Sequence, residues 1–238
     1  MVSQIKLGDI AVDVVLKDIK NVHLSVHPPT GRVRISAPSR MKMDTIRVFA
    51  ISKLAWIRQQ QKKLQEQERE APRKYLERES HYVWGRRYLL SVQEGVLSPM
   101  VRIRANRLIL SVRPGTSETG KAAVMSRWYR DQVWTNAVEL IAKWQPIIGV
   151  RVRKMFVQHM RTKWGSCNPL SGTVRLNTEL AKKPKECLEY IVVHEMVHLL
   201  ERNHGDRFVA LMDRYMPRWQ FFRQKLNQIP VRHEDWDY

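Results

Sequence analysis

A chain of 238 residues can bury a sizeable core as one large domain or two small ones, which excludes a miniprotein held together by disulfides or a structural metal. Its 42 Lys+Arg against 23 Asp+Glu give a formal charge of +19, enough to attract an acidic partner such as nucleic acid without defining a site. Cys167 and Cys187 are too few for a disulfide framework and fit a reducing compartment. The start Met1-Val2-Ser3-Gln4-Ile5-Lys6 lacks a signal-peptide core and no stretch reaches the ~18 apolar residues of a membrane span, so a cytoplasmic protein with no membrane partner is expected.

Residues 10–16 and 21–37 alternate apolar and polar side chains around Pro28-Pro29-Thr30-Gly31, which predicts strands joined by a hairpin. After Pro38 a helical pattern runs from about Met43 to Glu70, with Ile46, Phe49, Leu54 and Ile57 on its apolar face and a polar run to Pro72. Residues 82–90, 101–103 and 108–112 predict further strands. The part before Pro114-Gly115 is therefore a β-rich N-terminal region, 1–114, with one long helix. A second region, 115–238, begins with a helix over 118–145, carrying Val124, Trp128, Val138 and Ile141 on recurring turns and closed by Pro146. Val150 to Gln158 and Thr173 to Asn177 read as strands, the second after a turn at Asn168-Pro169-Leu170-Ser171-Gly172. Pro184 suits the first turn of a helix reaching about Asn203, apolar around most of its circumference. Phe208, Leu211, Met212 and Tyr215 mark a final amphipathic helix before Pro217, and no internal repeat is visible. The charge is uneven: residues 1–150 hold 26 basic and 13 acidic side chains, residues 151–238 hold 16 and 10.

The helix from Pro184 contains His194-Glu195-Met196-Val197-His198. Residues four apart on a helix differ by about 40° around the axis and about 6 Å along it, so both imidazoles can face one ion. Glu195 projects from the neighbouring flank, where it can take a proton from a metal-bound water, so the pattern points to a zinc hydrolase. Asn203 and Gly205 tolerate left-handed backbone and can end the helix, letting the chain turn back and bring His204 to the ion. Three histidines leave one coordination position for water, as a catalytic Zn2+ site requires. Glu201 lies within about 20° of the face of His194 and is the alternative third ligand. Its height two turns along the helix favours a supporting role beside the metal-bound imidazoles. The expected reaction is amide hydrolysis with Glu195 as general base, passing the proton on to the leaving amine. Tyr215, Arg161 and Tyr190 are candidate donors to the oxyanion, and none is assigned.

The stretch Arg161-Thr162-Lys163-Trp164-Gly165-Ser166-Cys167, followed by Gly172-Thr173-Val174-Arg175-Leu176-Asn177, the histidine helix and Tyr215-Met216-Pro217, resembles the YgjP-like zinc metallopeptidase family, related to SprT-like and WLM metalloproteases. The resemblance is dense over 161–217. It implies an α+β fold with a zincin-like, minigluzincin-type catalytic core: a small antiparallel sheet whose edge strand borders the cleft, the active-site helix and a closing helix. It also implies zinc ligands at His194, His198 and His204, a catalytic acid at Glu195, and a protein or peptide substrate. The segment before Gly172 becomes a turn feeding the strand 172–177, which could bind an extended peptide by strand addition. Two other readings stand beside it. Cys167 could be a nucleophile paired with a histidine, although a lone cysteine, like Cys187, is more often a buried small hydrophobe. The protein could also be nucleic-acid-associated, binding through its basic N-terminal part with the zinc site regulatory, structural or directed at DNA-bound proteins.

Overall fold

Alternating apolar residues at the start of the chain build a sheet before any helix forms. The computed structural model describes residues 2–27, 30–66, 69–70, 74–160, 163–228 and 231–232. Contacts divide the chain into two units, 1–72 with 230–238, and 73–229.

In the first unit β1 (Val2–Leu7), β2 (Ile10–Lys17), β3 (His23–His27) and β4 (Arg32–Pro38) form a sheet of order β1-β2-β4-β3, in which β2 and β4 run parallel and the outer pairs are antiparallel. The hairpin between β3 and β4 is as expected, with Pro28 and Pro29 of its turn outside the described residues. Val12, Val14, Val33 and Ile35 alternate onto one buried face, which Ile46, Ala50 and Ile57 cover. The long helix read from sequence is two: α1 (Met43–Ser52) and α2 (Leu54–Glu66), separated at Lys53. The Ser52 hydroxyl donates to the Phe49 carbonyl at 2.8 Å, a local bond that competes with the helical ladder where the two meet. Beyond α2, β5 (Arg69–Glu70) pairs in parallel with Val231–Arg232.

The second unit opens with β6 (Ser80–Val83), β7 (Arg86–Glu94), β8 (Met100–Arg104) and β9 (Arg107–Val112), ordered β6-β7-β9-β8 with β7 and β9 parallel. This is the topology of the first sheet over again, each sheet being followed by helix. The sequence shows no repeat because the arrangement demands only alternation, which different residues satisfy. By contacts the division between units falls after residue 72. Val83, Leu90, Leu108 and Leu110 share a core with Met125, Tyr129 and Val133, so the turn at Pro114-Gly115 changes the element type without ending the core.

That core is organised by α3 (Glu118–Ile148), capped by the Ser117 hydroxyl, which accepts from the Gly120 N–H at 3.2 Å, and ended by Gly149 at φ 77°. Pro146 lies inside the helix near its end, where the one ladder bond it removes is tolerated. The buried stripe is Met125, Tyr129, Val133, Ala137, Ile141, Trp144 and Ile148; Val138, expected on it, is one residue out of phase and 47% exposed. Next come β10 (Lys154–Gln158), β11 (Gly165–Asn168) and β12 (Thr173–Asn177), ordered β10-β12-β11. The sheet expected to be antiparallel is mixed, since β10 reaches β12 by crossing over the β11 hairpin and so runs parallel to it. A 3-10 turn at Thr178–Lys182 leads into α4 (Lys185–Val197). The β6–β7 turn seats against this junction: Trp84 and Gly85 N–H donate to the carbonyls of Ala181 and Lys182 at 2.8 and 3.1 Å. Gly85, at φ 79°, leaves no room for a side chain, because a Cβ would meet Pro184 Cγ at 2.9 Å. Two helices follow, α5 (Asp206–Tyr215) and α6 (Trp219–Gln228), so Pro217 separates helices and does not end the fold. Among the described residues no helix is long and apolar enough to cross a membrane.

Candidate metal centre

Nine residues of α4 are buried, among them Leu188, Ile191, Val192, Met196 and Val197, so the helix is fixed on several sides and its polar residues are held where the packing puts them. His194 and His198 sit one turn apart on it. The helix ends at Val197, with His198 at its C-cap, six residues before the expected Asn203. The chain leaves the helical path early and swings His204 back.

The three rings then converge. His204 Nε2 lies 3.1 Å from His194 Nε2 and 3.2 Å from His198 Nε2. Ligand nitrogens at about 2.0–2.1 Å from a tetrahedral ion stand roughly 3.3 Å apart, so the spacing is that of a metal cage. The donor set agrees: His198 Nδ1 is 3.0 Å from the Glu201 carbonyl, which takes its proton and leaves the Nε2 lone pair facing the other two rings. Facing lone pairs repel unless a cation lies among them. Beneath them Phe208 makes a floor, its ring centroid 4.9, 4.7 and 4.7 Å from those of His194, His198 and His204. The sequence reading placed Phe208 only as a marker of the final amphipathic helix. Burial, followed by the neighbouring His198, His204 and Arg223 charges, pushes His194 down to about 3, and burial likewise lowers His198. Both are therefore neutral at physiological pH, the form that binds metal.

Glu201, the alternative ligand, is placed elsewhere. Its carboxylate accepts from the Asn203 N–H at 3.2 Å and lies 3.8 Å from Arg207 Nε, while its backbone carbonyl orients His198. Among the described residues the three histidines form a cluster of candidate metal ligands.

Glu195 is 5% exposed and lines the same cleft as the histidines. Burial pushes its carboxyl up to about 8 in the metal-free protein, against the opposing charge of Lys163. The opposite wall is β11, an edge of its sheet, and all four of its residues line the cleft of about 530 Å³ together with Pro169 and Leu170. The segment expected as a turn is thus itself the edge strand, and β12 (Thr173–Asn177), expected at the edge, is central. Asn177 holds the approach to β11: its Nδ2 donates to the carbonyls of Met160 and Lys163 at 2.7 and 2.8 Å, and its Oδ1 accepts from the Glu179 N–H at 3.1 Å. Gly165 lies against the catalytic candidate, since a Cβ there would stand 2.6 Å from Glu195 Oε1 and 2.9 Å from its Cγ. Gly165→Ala is expected to displace the carboxylate and lower kcat/KM on any cleaved peptide by at least about tenfold, with bound metal unchanged. Unchanged turnover would show that this strand does not position Glu195.

The remaining residues singled out in the sequence are not brought to the histidines in a working arrangement. Cys167 lines the cleft, but burial and then the Glu195 charge push its thiol up to about 11, the reverse of an activated nucleophile. Cys187 is a core thiol, also raised to about 11 by burial. Tyr190 packs its buried ring edge-on against His194, with burial raising its hydroxyl, and Tyr215 donates toward the Ile148 carbonyl at 3.5 Å. Neither lines the cleft. Arg161 lies outside the described residues. Two exposed cations that the sequence did not single out, Lys163 and Arg202, do line it.

Residues 20–229 match the family model for the YgjP-like metallopeptidase domain. The chain belongs to the YgjP-like metallopeptidase family. The YgjP-like match starts within the first sheet and continues to the end of α6, so the family pattern spans both units. Membership in a family of metallopeptidases implies a catalytic metal and a protein or peptide substrate. A comparison with curated proteins finds no match. Among solved structures, the metallopeptidase zymogen of Pyrococcus abyssi abylysin is 19% identical, with 40% of this chain and 99% of that chain covered at a TM-score of 0.35. The metallopeptidase zymogen of Methanocaldococcus jannaschii jannalysin is 21% identical, with 39% and 94% covered at the same TM-score of 0.35.

Proposed function

We propose that this protein is a zinc-dependent peptidase in which His194, His198 and His204 hold the ion and Glu195 is the general base. The observation that carries this reading is the convergence of three imidazole Nε2 atoms beside a buried carboxylate in one cleft. When bound, zinc supplies the Lewis acidity that brings the pKa of water towards about 7 and polarises a carbonyl. Glu195 takes a proton from the attacking water on a carboxylate oxygen and delivers it to the leaving amine. The Glu201 carbonyl keeps the His198 ring in the tautomer that presents Nε2. On the facing wall the edge strand β11 aligns an extended peptide by strand addition, and Lys163 and Arg202 give the cleft a positive rim. The arrangement of active-site helix, small sheet and closing helix α5 supports a zincin-type core.

Treatment with 1,10-phenanthroline is expected to abolish cleavage of a peptide mixture, and stoichiometric Zn2+, but not Mg2+ or Ca2+, should restore it. Mass spectrometry of the digest and metal analysis of the protein read the two halves of this expectation. Cleavage that persists in the metal-free protein would overturn the reading.

A further inference from the structure

The β6-β7-β9-β8 sheet has two chemically different faces. Val83, Leu90, Val101, Leu108 and Leu110 turn inward to the core. By strand alternation the other face carries Arg87, Arg102, Arg104 and Arg107, all exposed, with Tyr82, Leu89 and Ile109 half-buried among them. The register makes this a cluster: Arg104 stands directly opposite Arg107 across the β8–β9 pair, Arg102 stands opposite Ile109, Arg107 is level with Leu89 on β7, and Arg87 faces Tyr82 on β6. No strand position on this face is acidic. Glu94 belongs to the other face, where it binds the Gly115 N–H at 3.2 Å and lies 3.9 Å from Lys121 Nζ, and Glu79 pairs with the buried His81. Among the described residues none of the four arginines has an ion-pair partner. Like charges directly opposite one another across strands cost stability, so the face is built at a loss that a bound anion would offset.

We infer that this sheet face binds the phosphate backbone of nucleic acid. Arginines on three adjacent strands, about 4.8 Å apart, can each take a phosphate with a two-pronged bond. Tyr82 among them offers a flat surface for a base, which a run of carboxylates would not use. The charge of +19 draws such a polyanion from a distance. The surface lies within the basic N-terminal part, 1–114, to which the sequence reading looked, and it belongs to the second unit, which also carries the histidine site. It does not depend on the peptidase reading.

The test is fluorescence anisotropy of the full chain with a labelled 20-nucleotide single strand and its duplex, across a salt series. Wild type is expected to bind with a log–log salt slope reflecting several phosphates. Arg102→Gln/Arg104→Gln/Arg107→Gln should weaken binding at least about tenfold and flatten the slope by about 2 to 3, and Arg102→Gln alone by about 1. Arg40→Gln/Arg47→Gln/Lys53→Gln, in the first unit, should change affinity less than about threefold. Circular dichroism melts identify any variant that fails to fold, in which case the single substitution decides. Absence of binding by wild type at low salt, equal losses in both triple variants, or displacement by polyglutamate as effective as by oligonucleotide would each overturn the inference, the last by assigning the face to acidic proteins.

Discussion

Glu195→Gln is expected to lower kcat/KM for peptide cleavage by about 10²–10⁴-fold while leaving zinc content at the wild-type level. The amide keeps the shape of the carboxylate against Gly165 but cannot accept a proton, so binding and chemistry separate. A second readout follows from burial. The Glu195 carboxyl sits at about 8 in the folded metal-free protein against an ordinary 4.5, so ionising it costs the folded state more than the unfolded one. That cost is absent below the ordinary value, grows as the pH rises through the interval and levels off above the folded value. Metal-free wild type should therefore lose stability between about pH 4.5 and 8 while Glu195→Gln does not, so that the gap between the two proteins shifts in favour of the variant by roughly 4 kcal/mol across that interval. His194, pushed down to about 3, works in the other direction: its stabilisation is lost as pH falls below its ordinary 6.5. It is common to both proteins and cancels in the comparison of their thermal melts. Wild-type turnover by the variant would remove Glu195 from the chemistry, and a gap that stays constant across that interval would show that the carboxyl is not desolvated.

The histidine-bearing helix was legible because its information is local. His194, Glu195 and His198 are related by helical spacing alone, and the apolar residues around them specify burial without reference to any partner. What depends on pairing between distant segments was not. Gly165 looks like any loop glycine until β11 is laid against α4, and Phe208 looks like core until the histidines are seen above it. The α+β class was readable from the alternation of elements. The mixed register of β10 and β12 was not, since alternation is the same in parallel and antiparallel strands. Repetition of the strand order was hidden for the same reason: Arg32 to Pro38 and Arg107 to Val112 occupy matching places in the two sheets with little identity beyond their alternation. The early end of α4 escaped notice because Leu199 and Leu200 continue the apolar pattern after the backbone has left the helix.

That early end also separates the two candidate third ligands in space, and the difference can be measured. Had α4 continued to Asn203, Glu201 would have remained on the histidine face with its side chain two turns from His194. Because the helix stops at Val197, Glu201 enters a loop in which its carbonyl serves His198 and its carboxylate serves Asn203. His204 is carried to within 3.2 Å of both other rings. In competition with a chromophoric chelator, His204→Ala is expected to weaken zinc binding at least about a hundredfold, beyond the 10–100-fold usual for loss of a partner that only orients a ligand. Glu201→Gln keeps the carbonyl and should lose less than about tenfold, through a looser 201–207 loop. His204→Ala should also lose peptide cleavage in proportion to lost metal, with activity returning as Zn2+ is raised towards saturation. The reverse ranking, zinc lost in Glu201→Gln and kept in His204→Ala, would replace the third histidine with a carboxylate and put a negative charge beside Glu195 that the present ligand set does not have.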